Sequence, residues 1–334
     1  MSALVHRLLD GGVLEEDAAI DLFRTLTDPS TPPVVVGAAL GAIRLRGARP
    51  EEVRGLARAL TEAARPCRLP AIGALVDVVG TGGDASSSFN LSTGSAILAA
   101  ACGLSVAKHG TGAQSGRAGS ADVVAALGLA LPLSEEEAGA LLSACGFTFL
   151  HAPHYHPALA TVGPLRRALG TRTIFNMVGP LANPAKPAYA VIGAWSRSAA
   201  RTIAVALSGL PIERAFVLHG ANGWDEPTPI APFALFEVRP GHVAASERDP
   251  LDFGLPRCEA AELTGGDAAE NAAALRRVFD GERGAHRDAL TLGAALALEV
   301  AGAVGSPIEG IARAASAIDS GAAAAILDAM AAHV

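Results

Sequence analysis

Hydrophobic and polar positions follow two different patterns along the chain. Over residues 1 to about 65, apolar side chains such as Leu4 and Leu8 recur at the spacing of amphipathic helices, and Gly11-Gly12 ends the first of them. Further helices are predicted over Ala19–Phe23, Val34–Leu45 and Pro50–Leu60. This pattern predicts a small, all-helical N-terminal domain that comprises residues 1–67.

From Val76 onward, short apolar runs alternate with helical stretches. VDVVG (76–80), an apolar helix at Thr93–Ala101 and a second run at Leu104–Ala107 form a strand–helix–strand unit, which implies parallel strands and a right-handed crossover. Further strands are predicted at Phe147–Leu150, Tyr189–Ala194 and Ala215–His219, and further helices at Ala199–Leu207, Ala268–Phe279, Asp288–Val304 and Ile308–Met330. The pattern predicts a larger α/β domain over residues 74–334 with a mostly parallel central sheet.

Composition narrows the class of protein. The 334 residues are 50% hydrophobic and only 4% aromatic, and the net charge of −7 comes without a block of Lys and Arg, which argues against a nucleic-acid-binding protein. No apolar run is long enough to span a bilayer, and the N-terminus lacks a signal-peptide pattern. The four cysteines are far apart, without a C-x-x-C pair, which favours free thiols. We therefore expect a soluble cytoplasmic protein that does not act on membranes.

A glycine-rich stretch follows the first predicted strand, in VVGTGGDASSSFNLSTGSA (78–96). Glycines after a strand let the backbone approach an anion, and the next helix offers free N–H groups at its start. The stretch loosely fits G-x-G-x-x-A, but a dinucleotide site would place an acidic residue at the end of the following strand, and here that residue is Lys108. The combination favours a phosphate or diphosphate site over an ordinary turn capped by Ser92 or Thr93.

The loop after the second strand, AKHGTGAQSGRAGSADVV (107–124), is long and almost without bulky side chains. Lys108 and Arg117 give it positive charge. The small residues that would let a ligand come close are Ser115, Gly116, Gly119 and Ser120. A solvated flexible loop is the alternative, but long loops of this content are more often functional.

An adjacent acidic pair, Asp225 and Glu226, follows the strand that ends at His219. Mg²⁺ is typically bound through one or two carboxylates, and phosphate and water oxygens complete its coordination. Taken alone, such a pair is more often an exposed acidic turn. Beside a diphosphate site it indicates a magnesium site.

Residues 154–185 contain two histidines and three arginines. His154 and His156 have no acidic or cysteine neighbour in the sequence, which favours polar packing over metal binding. Arg166, Arg167 and Arg172 lie on a predicted helix and turn, where they either meet a carboxylate ligand or form surface salt bridges.

Together, these motifs resemble the anthranilate phosphoribosyltransferase family. The resemblance rests on VGTGGD, NLST, AKHG, SGRAGSADVVAALG, HPA, RTIFNMVGPLANPA, HGANGWDE and GGDAAENAAALRRVFDGERGAHRDA. It extends over nearly the whole chain, including the helical N-terminal part. It implies transfer of phosphoribose from 5-phosphoribosyl diphosphate (PRPP) to the amine of anthranilate, with Mg²⁺, in tryptophan biosynthesis. It also implies a homodimer joined through the helical domains. Helices from about 165–185 would join the helical domain formed by residues 1–67.

The resemblance further implies roles for individual residues. PRPP would contact Gly80, Gly83, Asp84, Ser88, Asn90, Leu91, Ser92, Thr93, Lys108, Ser115, Gly116 and Ser120. The metal would be held by Ser92, Asp225 and Glu226, and the acceptor by Gly80, Thr111 and Arg166. Lys108 and His109 are the candidate catalytic residues. Lys108 would stabilise the negative charge of the departing diphosphate. His109 is the candidate general base, and a structural hydrogen bond is its alternative role.

The sequence departs from the family pattern mainly on the acceptor side. The family loop usually reads K-H-G-N-R, with an Asn that helps to hold anthranilate, and here Thr111 and Gly112 take the last two places. Gln114 stands where a small apolar residue is usual, and Gly293 replaces a usual Asn. Three functions stay open: an anthranilate phosphoribosyltransferase, a paralogue with another aromatic acceptor, and a non-catalytic PRPP-binding protein. The intact strand-end lysine and acidic pair argue against the third.

Overall fold

The computed structural model describes residues 3–70, 73–83, 88–113 and 117–333. Its N-terminal helices are α1 (Ala3–Leu9), α2 (Glu16–Thr27), α3 (Pro33–Arg46) and α4 (Pro50–Glu62). The fully buried Glu52 joins them, because its carboxylate accepts hydrogen bonds from Leu14 N at 3.0 Å and from the Arg46 guanidinium at 2.7 and 2.8 Å. The predicted helical N-terminal part is confirmed.

A seven-stranded sheet forms the centre of the larger part. The strands are β1 (Leu75–Gly80), β2 (Ser105–Gly110), β3 (Phe147–His151), β4 (Tyr189–Gly193), β5 (Arg214–His219), β6 (Phe233–Arg239) and β7 (His242–Arg248). Their spatial order is β3-β2-β1-β4-β5-β6-β7, with β1 to β5 parallel and β6 and β7 antiparallel. The carboxyl ends of β1, β2, β4 and β5 therefore share one edge, and the predicted α/β fold class is confirmed.

The helices of this part cover the sheet and extend its core. In chain order they are α5 (Leu91–Ala101), α6 (Ser120–Ala126), α7 (Glu135–Cys145), α8 (Ala152–Tyr155), α9 (Val162–Leu169), α10 (Phe175–Val178), α11 (Arg197–Leu207), α12 (Ala268–Phe279), α13 (Ala285–Val300), α14 (Pro307–Asp319) and α15 (Ala322–Ala332). At Gly94 of α5, a Cβ would lie 2.6 Å from Leu275 and 2.7 Å from Leu290. Glycine thus lets α12 and α13 pack closely on α5, whose first turn reaches the shared strand edge.

The hydrophobic core of the N-terminal helices includes a segment from much later in the chain. Val162, Ile174, Phe175 and Val178 are buried in the same cluster as the apolar side chains of α1 to α4. This segment, which holds α9 and α10, therefore lies between the helical bundle and the sheet.

Three details differ from the sequence-based expectations. The hairpin of β6 and β7 was not predicted, although Gly241 at φ +69° forms its turn. The helix expected over Ile308–Met330 breaks at Gly321, where φ is +81°, a conformation that favours glycine. The helix expected over Asp288–Val304 ends at Val300, just before Gly302 at φ +71°.

Across the described ranges, none of the helices alone has the length and hydropathy needed to cross a membrane. Only α14 and α15 taken together meet those two criteria, and they are bent by 62° relative to each other.

Candidate functional site

The glycine turn after β1 is shaped around a carboxylate. Gly82 and Gly83 have φ of +65° and +70°, in the left-handed region that favours glycine. The N–H of Gly82 donates to Asp225 Oδ2 at 2.6 Å, and Thr81 Oγ1 donates to the same oxygen at 3.2 Å. The turn and the acidic pair predicted to form one site are therefore in contact. Asp84 lies outside the described residues.

Glycines at three strand ends make room for the acidic pair. A Cβ on Gly193 would lie 1.5 Å from the carbonyl oxygen of Asp225, and one on Gly80 would lie 2.6 Å from Asp225 Oδ2. A Cβ on Gly220 would lie 2.1 Å from the carbonyl oxygen of Glu226. Since Asp225 is only 6% exposed, the alternative of an exposed acidic turn does not apply.

Lys108 and Ser92 complete this group of polar side chains. Lys108 is 1% exposed, and its Nζ donates to the Val78 carbonyl at 2.6 Å and to Ser92 Oγ at 3.3 Å. The N–H of Ser92, in the first turn of α5, donates to Glu226 Oε1 at 3.2 Å. Burial lowers the pKa of Lys108, and the nearby carboxylates of Asp77, Glu226 and Asp225 oppose that shift. The group therefore offers an ammonium ion beside two carboxylates.

The donor set of Ser92, Asp225 and Glu226 suits a hard cation. All three offer oxygen ligands, and the carboxylates already meet backbone N–H groups of the glycine turn and of α5. No group of three His, Cys, Asp or Glu side chains suited to a metal occurs in the described part of the chain. The residues therefore fit Mg²⁺ that takes most of its other ligands from phosphate and water, and they do not fit a closed protein site such as zinc prefers.

A polar cavity of about 230 Å³ lies between these groups and the loop after β2. Predicted site residues that line it are Gly80, Gly83, Ser88, Asn90, Ser92, Lys108, His109, Thr111, Ser120, Asp225 and Glu226. Leu91 and Thr93 do not line it: their side chains are 1% and 0% exposed, and their N–H groups donate to Phe89 and Asn90 carbonyls. Ser115, Gly116 and Gln114 lie outside the described residues.

Sequence reasoning missed Asn271, which supports one side of this polar cavity. Its Nδ2 donates to Asn90 Oδ1 at 2.7 Å, and its Oδ1 accepts from Gly266 N at 2.6 Å. Asn90 Nδ2 in turn donates to the Ala118 carbonyl in the loop after β2, at 3.3 Å. A signal was present, because Asn271 is a polar residue on the otherwise apolar buried face of α12.

The centre of the loop after β2 closes on itself through backbone contacts. Asp122 Oδ2 accepts from Ala113 N and Gly119 N, both at 2.8 Å. The Thr111 carbonyl accepts from Ser120 Oγ at 3.3 Å, and a Cβ on Gly112 would lie 3.1 Å from Asp122 Oδ1. Gly112 thus lets the Asp122 carboxylate lie close to the backbone of this loop.

A second, more apolar cavity of about 370 Å³ adjoins the first. The two share a wall formed by Val79–Thr81 and His109–Thr111, which we call the shared wall. The other lining residues come mainly from α8, α9, α10 and the turns beside them. This apolar cavity therefore lies between the helical bundle and the carboxyl edge of the sheet.

Arg166 brings a positive charge to the apolar cavity. Its Nη2 donates to Asn176 Oδ1 at 3.4 Å, and its guanidinium lies 5.5 Å from the centre of the Phe175 ring. Its buried Nε has no hydrogen-bond partner among the described residues, and burial lowers the pKa of Arg166. Arg166, Arg167 and Arg172 also line an open cleft of about 530 Å³ that reaches Gly83. These positions suit a carboxylate ligand.

His109 is a neutral residue of the shared wall. Burial, together with the neighbouring His156 and Lys108, lowers its pKa to about 3. Its ring packs edge-on against His156 at a centroid distance of 5.0 Å, and the backbone N–H of His109 donates to Asp77 Oδ1 at 3.2 Å. A base of such low pKa holds a proton poorly at neutral pH, so this environment favours hydrogen bonding over proton transfer.

We expect acid to destabilise the fold through His109 and His156. Burial lowers their pKa to about 3 and about 4, so between those values and the ordinary 6.5 the unfolded chain binds more protons than the folded one. The free energy of unfolding should therefore fall as the pH is lowered from about 6.5 towards 4. Urea unfolding at a series of pH values measures this effect.

The variant His156→Gln is the control for that experiment, since it removes one of the two groups. Its stability should depend less steeply on pH, and an unchanged slope would contradict the assignment.

Asp77 acts in the opposite direction, because burial raises its pKa to about 6 and its contribution to stability is lost as the pH rises from about 4 to 6. Its shift from 3.8 is smaller than that of His109, so the histidines set the sign.

The sequence and fold match known proteins over nearly the whole chain. Residues 2–64 match the helical bundle domain of the glycosyl transferase family, and residues 73–324 match its a/b domain. Anthranilate phosphoribosyltransferase 2 of Streptomyces coelicolor is 45% identical over 317 residues, or 94% of each chain. Anthranilate phosphoribosyltransferase of Rhodopseudomonas palustris is 41% identical over 325 residues, which cover 97% of this chain and 96% of the relative.

Solved structures of anthranilate phosphoribosyltransferases have the same fold as this chain. Anthranilate phosphoribosyltransferase from Thermus thermophilus superposes with a TM-score of 0.93 at 41% identity over 99% of both chains. The Saccharomyces cerevisiae enzyme in complex with PRPP and Mg gives a TM-score of 0.85 at 26% identity, over 95% of this chain and 92% of that one. The chain therefore belongs to the anthranilate phosphoribosyltransferase family and is a glycosyl transferase of the pentosyltransferase type.

Proposed function

We propose that this protein transfers the phosphoribosyl group of PRPP to the amine of anthranilate, in tryptophan biosynthesis, with diphosphate as the leaving group. The observation that carries this proposal is the shared wall between the two cavities. A phosphorylated donor in the polar cavity and an aromatic acid in the apolar cavity would meet across the bare backbone at Gly80 and Gly110. The relatives named for this activity support anthranilate as the acceptor.

In this reaction the bond from ribose C1 to a diphosphate oxygen breaks, and its electron pair leaves with the diphosphate. The lone pair of the amine forms the new C1–N bond, and the nitrogen then gives up one proton to the released diphosphate or to water. The protein needs no nucleophile of its own and has to stabilise the departing negative charge. Lys108 Nζ and the N-terminal end of α5, which reaches the polar cavity at Ser92, are the positively polarised groups there.

Asp225, Glu226 and Ser92 Oγ are the residues that would hold Mg²⁺ there. The bound ion would supply neutralisation of the diphosphate charge. The hydrogen bonds from Gly82 N and Ser92 N hold the two carboxylates at the cavity edge before any ligand arrives. Less reorganisation is then needed when the diphosphate binds.

The apolar cavity would hold the acceptor by its two ends. The buried Nε of Arg166 suits the carboxylate, and the apolar walls suit the aromatic ring. The amine would then face the shared wall, where His109 Nε2 is buried without a hydrogen-bond partner among the described residues. A neutral imidazole at this place orients the amine by a hydrogen bond.

The proposed function is tested with the purified protein, PRPP, Mg²⁺ and anthranilate. Formation of the phosphoribosyl adduct is followed by mass spectrometry, and diphosphate release is measured in parallel. Equal amounts of adduct and diphosphate support the proposal. Diphosphate release without an adduct would indicate another acceptor, and binding of PRPP without any turnover would indicate a non-catalytic protein.

A different aromatic acid is a second candidate acceptor, and the bare Thr111-Gly112 pair is the observation that favours it. A buried polar contact missing at this wall costs a ligand that needs it about 1–3 kcal/mol, or roughly tenfold to hundredfold in affinity. The double variant Thr111→Asn/Gly112→Arg should shift the ratio of kcat/KM values towards anthranilate by about tenfold. Steady-state kinetics with anthranilate and ring-substituted analogues measures that ratio.

In the double variant, the new side chain at 112 has to move the Asp122 carboxylate, which lies 3.1 Å from its Cβ position. The single variant Thr111→Asn avoids that contact and is the control. An unchanged preference in both variants would show that this pair has no influence on the choice of acceptor.

We also propose a homodimer joined through the helical part. Val34 and Leu45 are 76% and 93% exposed, and they lie about three turns apart on the same face of α3. Leu45→Glu should convert the dimer to a monomer in sedimentation experiments, and a monomeric parent protein would contradict the proposal.

A cytoplasmic location stays a prediction from the sequence, in line with four free cysteines.

A further inference from the structure

The buried carboxylate of Asp77 has no part in the function proposed above. Asp77 lies within β1 and is 1% exposed. Its Oδ1 accepts from the backbone N–H of His109 at 3.2 Å, and its Oδ2 accepts from Asn183 Nδ2 at 2.9 Å. A buried carboxylate is costly unless its hydrogen bonds are made, so these contacts are a strong constraint on the local geometry.

Asn183 connects Asp77 to a different segment of the chain. Its Nδ2 donates to the Ala107 carbonyl of β2 at 2.9 Å as well as to Asp77, and its Oδ1 accepts from Ala185 N at 2.9 Å. Both protons of the amide are thereby used, and the side chain is 5% exposed. The amide is therefore held in one orientation.

The two segments joined in this way form walls of the substrate cavities. The end of β2 carries Lys108 into the polar cavity and His109 into the shared wall. The segment of Asn183 begins with Gly179 and Pro180, which line the apolar cavity. A backbone hydrogen bond between Gly179 and the His109 side chain is a second link between them.

Apolar packing and hydrogen bonds hold different parts of this wall: Val178 and Ala182 are buried in the core of the helical bundle, and Asn183 is held by its hydrogen bonds to Asp77 and Ala107. Behind the Asp77–Asn183 pair lies a third cavity of about 290 Å³, lined by both residues and by parts of α4 and α11. A side chain that borders a cavity lacks van der Waals contacts on that side, so its hydrogen bonds contribute more to holding it in place. The segment would shift into this space if the hydrogen bonds were lost.

We infer that the Asp77–Asn183 pair positions the wall of the acceptor cavity against the strand end that carries Lys108 and His109. The pair thereby sets the distance between the acceptor amine and ribose C1. This inference rests on the proposed function. Asp77 and Asn183 are positioning residues, because neither of them touches a substrate. Alignment of reacting atoms is sensitive to such spacing, since a misplacement of about 1 Å costs on the order of a hundredfold in rate.

The test compares Asp77→Asn and Asn183→Ala with Glu52→Gln. Glu52 is a matched control, because it is an equally buried carboxylate with several hydrogen bonds in the helical bundle and lies outside the cavities. We expect kcat per folded molecule to fall by about tenfold to hundredfold in both variants at the pair. The dissociation constant of PRPP, measured by calorimetry with Mg²⁺, should change by less than about threefold. Glu52→Gln should lower thermal stability and leave kcat unchanged.

A kcat equal to that of the parent protein in both variants, or a loss of PRPP affinity as large as the loss of kcat, would overturn the inference. Hydrogen exchange provides a readout that does not depend on turnover. Residues 105–111 and 177–186 should exchange faster together in both variants and not in Glu52→Gln, and unchanged exchange would also overturn the inference. Failure of the proposed function would be seen separately, as a parent protein that forms no adduct.

Discussion

Replacing Asp225 by Asn together with Glu226 by Gln is expected to weaken the binding of PRPP in the presence of Mg²⁺ by about a hundredfold. The two carboxylates form the acidic side of the polar cavity, and metal neutralisation of a diphosphate is worth several kcal/mol, with about 1.4 kcal/mol for each factor of ten. Calorimetry of the parent protein and the double variant, each with and without Mg²⁺, measures the effect. Only the parent protein should gain affinity when the metal is added.

The variant Gly193→Ala tests the same site with both carboxylates retained. Its Cβ would lie 1.5 Å from the Asp225 carbonyl oxygen, so the acidic segment has to move and the metal-dependent gain in affinity should shrink. Gly305→Ala is the matched control, since its Cβ would make only an ordinary contact with Glu309 at 3.7 Å. Equal affinities in all proteins and conditions would remove the metal assignment.

Replacing Lys108 by Met is expected to lower kcat/KM for PRPP by about tenfold to hundredfold, with little change in the melting temperature. A charge-assisted contact to the departing diphosphate is worth about 1.5–3 kcal/mol, whereas burial of the ammonium ion already costs solvation energy in the free protein. Met keeps most of the unbranched apolar part of the side chain and lacks the charged amino group. Kinetics and thermal unfolding on the same preparations separate the two effects.

The chain offers a matched control for Lys108, because Lys186 is the one other lysine in the sequence. Lys186 is exposed, so Lys186→Met should leave kcat/KM and the melting temperature close to their parent values. If Lys108→Met instead unfolds at much lower temperature while each folded molecule keeps normal activity, Lys108 has a structural role.

The end of β2 explains how one short motif can serve two substrates. Successive side chains of a strand point to opposite faces, so Lys108 and His109 diverge. Lys108 reaches Ser92 and the polar cavity, and His109 reaches His156 and the apolar cavity. The proposed chemistry needs this arrangement, since it places positive charge at the leaving group and a neutral ring beside the amine.

Local features of the site are determined by the sequence itself. The alternation of apolar runs and helical periods predicts β1, α5 and β2 and places the glycine turn at the end of β1. It places Lys108 just after the second strand, which in the structure continues to Gly110. These features depend on neighbouring residues, because side-chain periodicity and the left-handed backbone of Gly82 and Gly83 are local properties. The hairpin of β6 and β7 was equally local, and its Pro240-Gly241 turn made it predictable.

The contacts that make these features one site were decided only by the tertiary structure. Gly82 and Asp225 are 143 positions apart, Asn90 and Asn271 are 181 apart, and Asp77 and Asn183 are 106 apart. Their meeting depends on the order of the strands and on glycines at several strand ends that leave space for other segments. No local pattern specifies such distant pairs, since an isolated Asn or Asp has the same neighbours in sequence whether it faces solvent or supports a cavity. The chain therefore determines its elements from nearby residues, and the packing of the whole molecule determines which of their polar side chains act together.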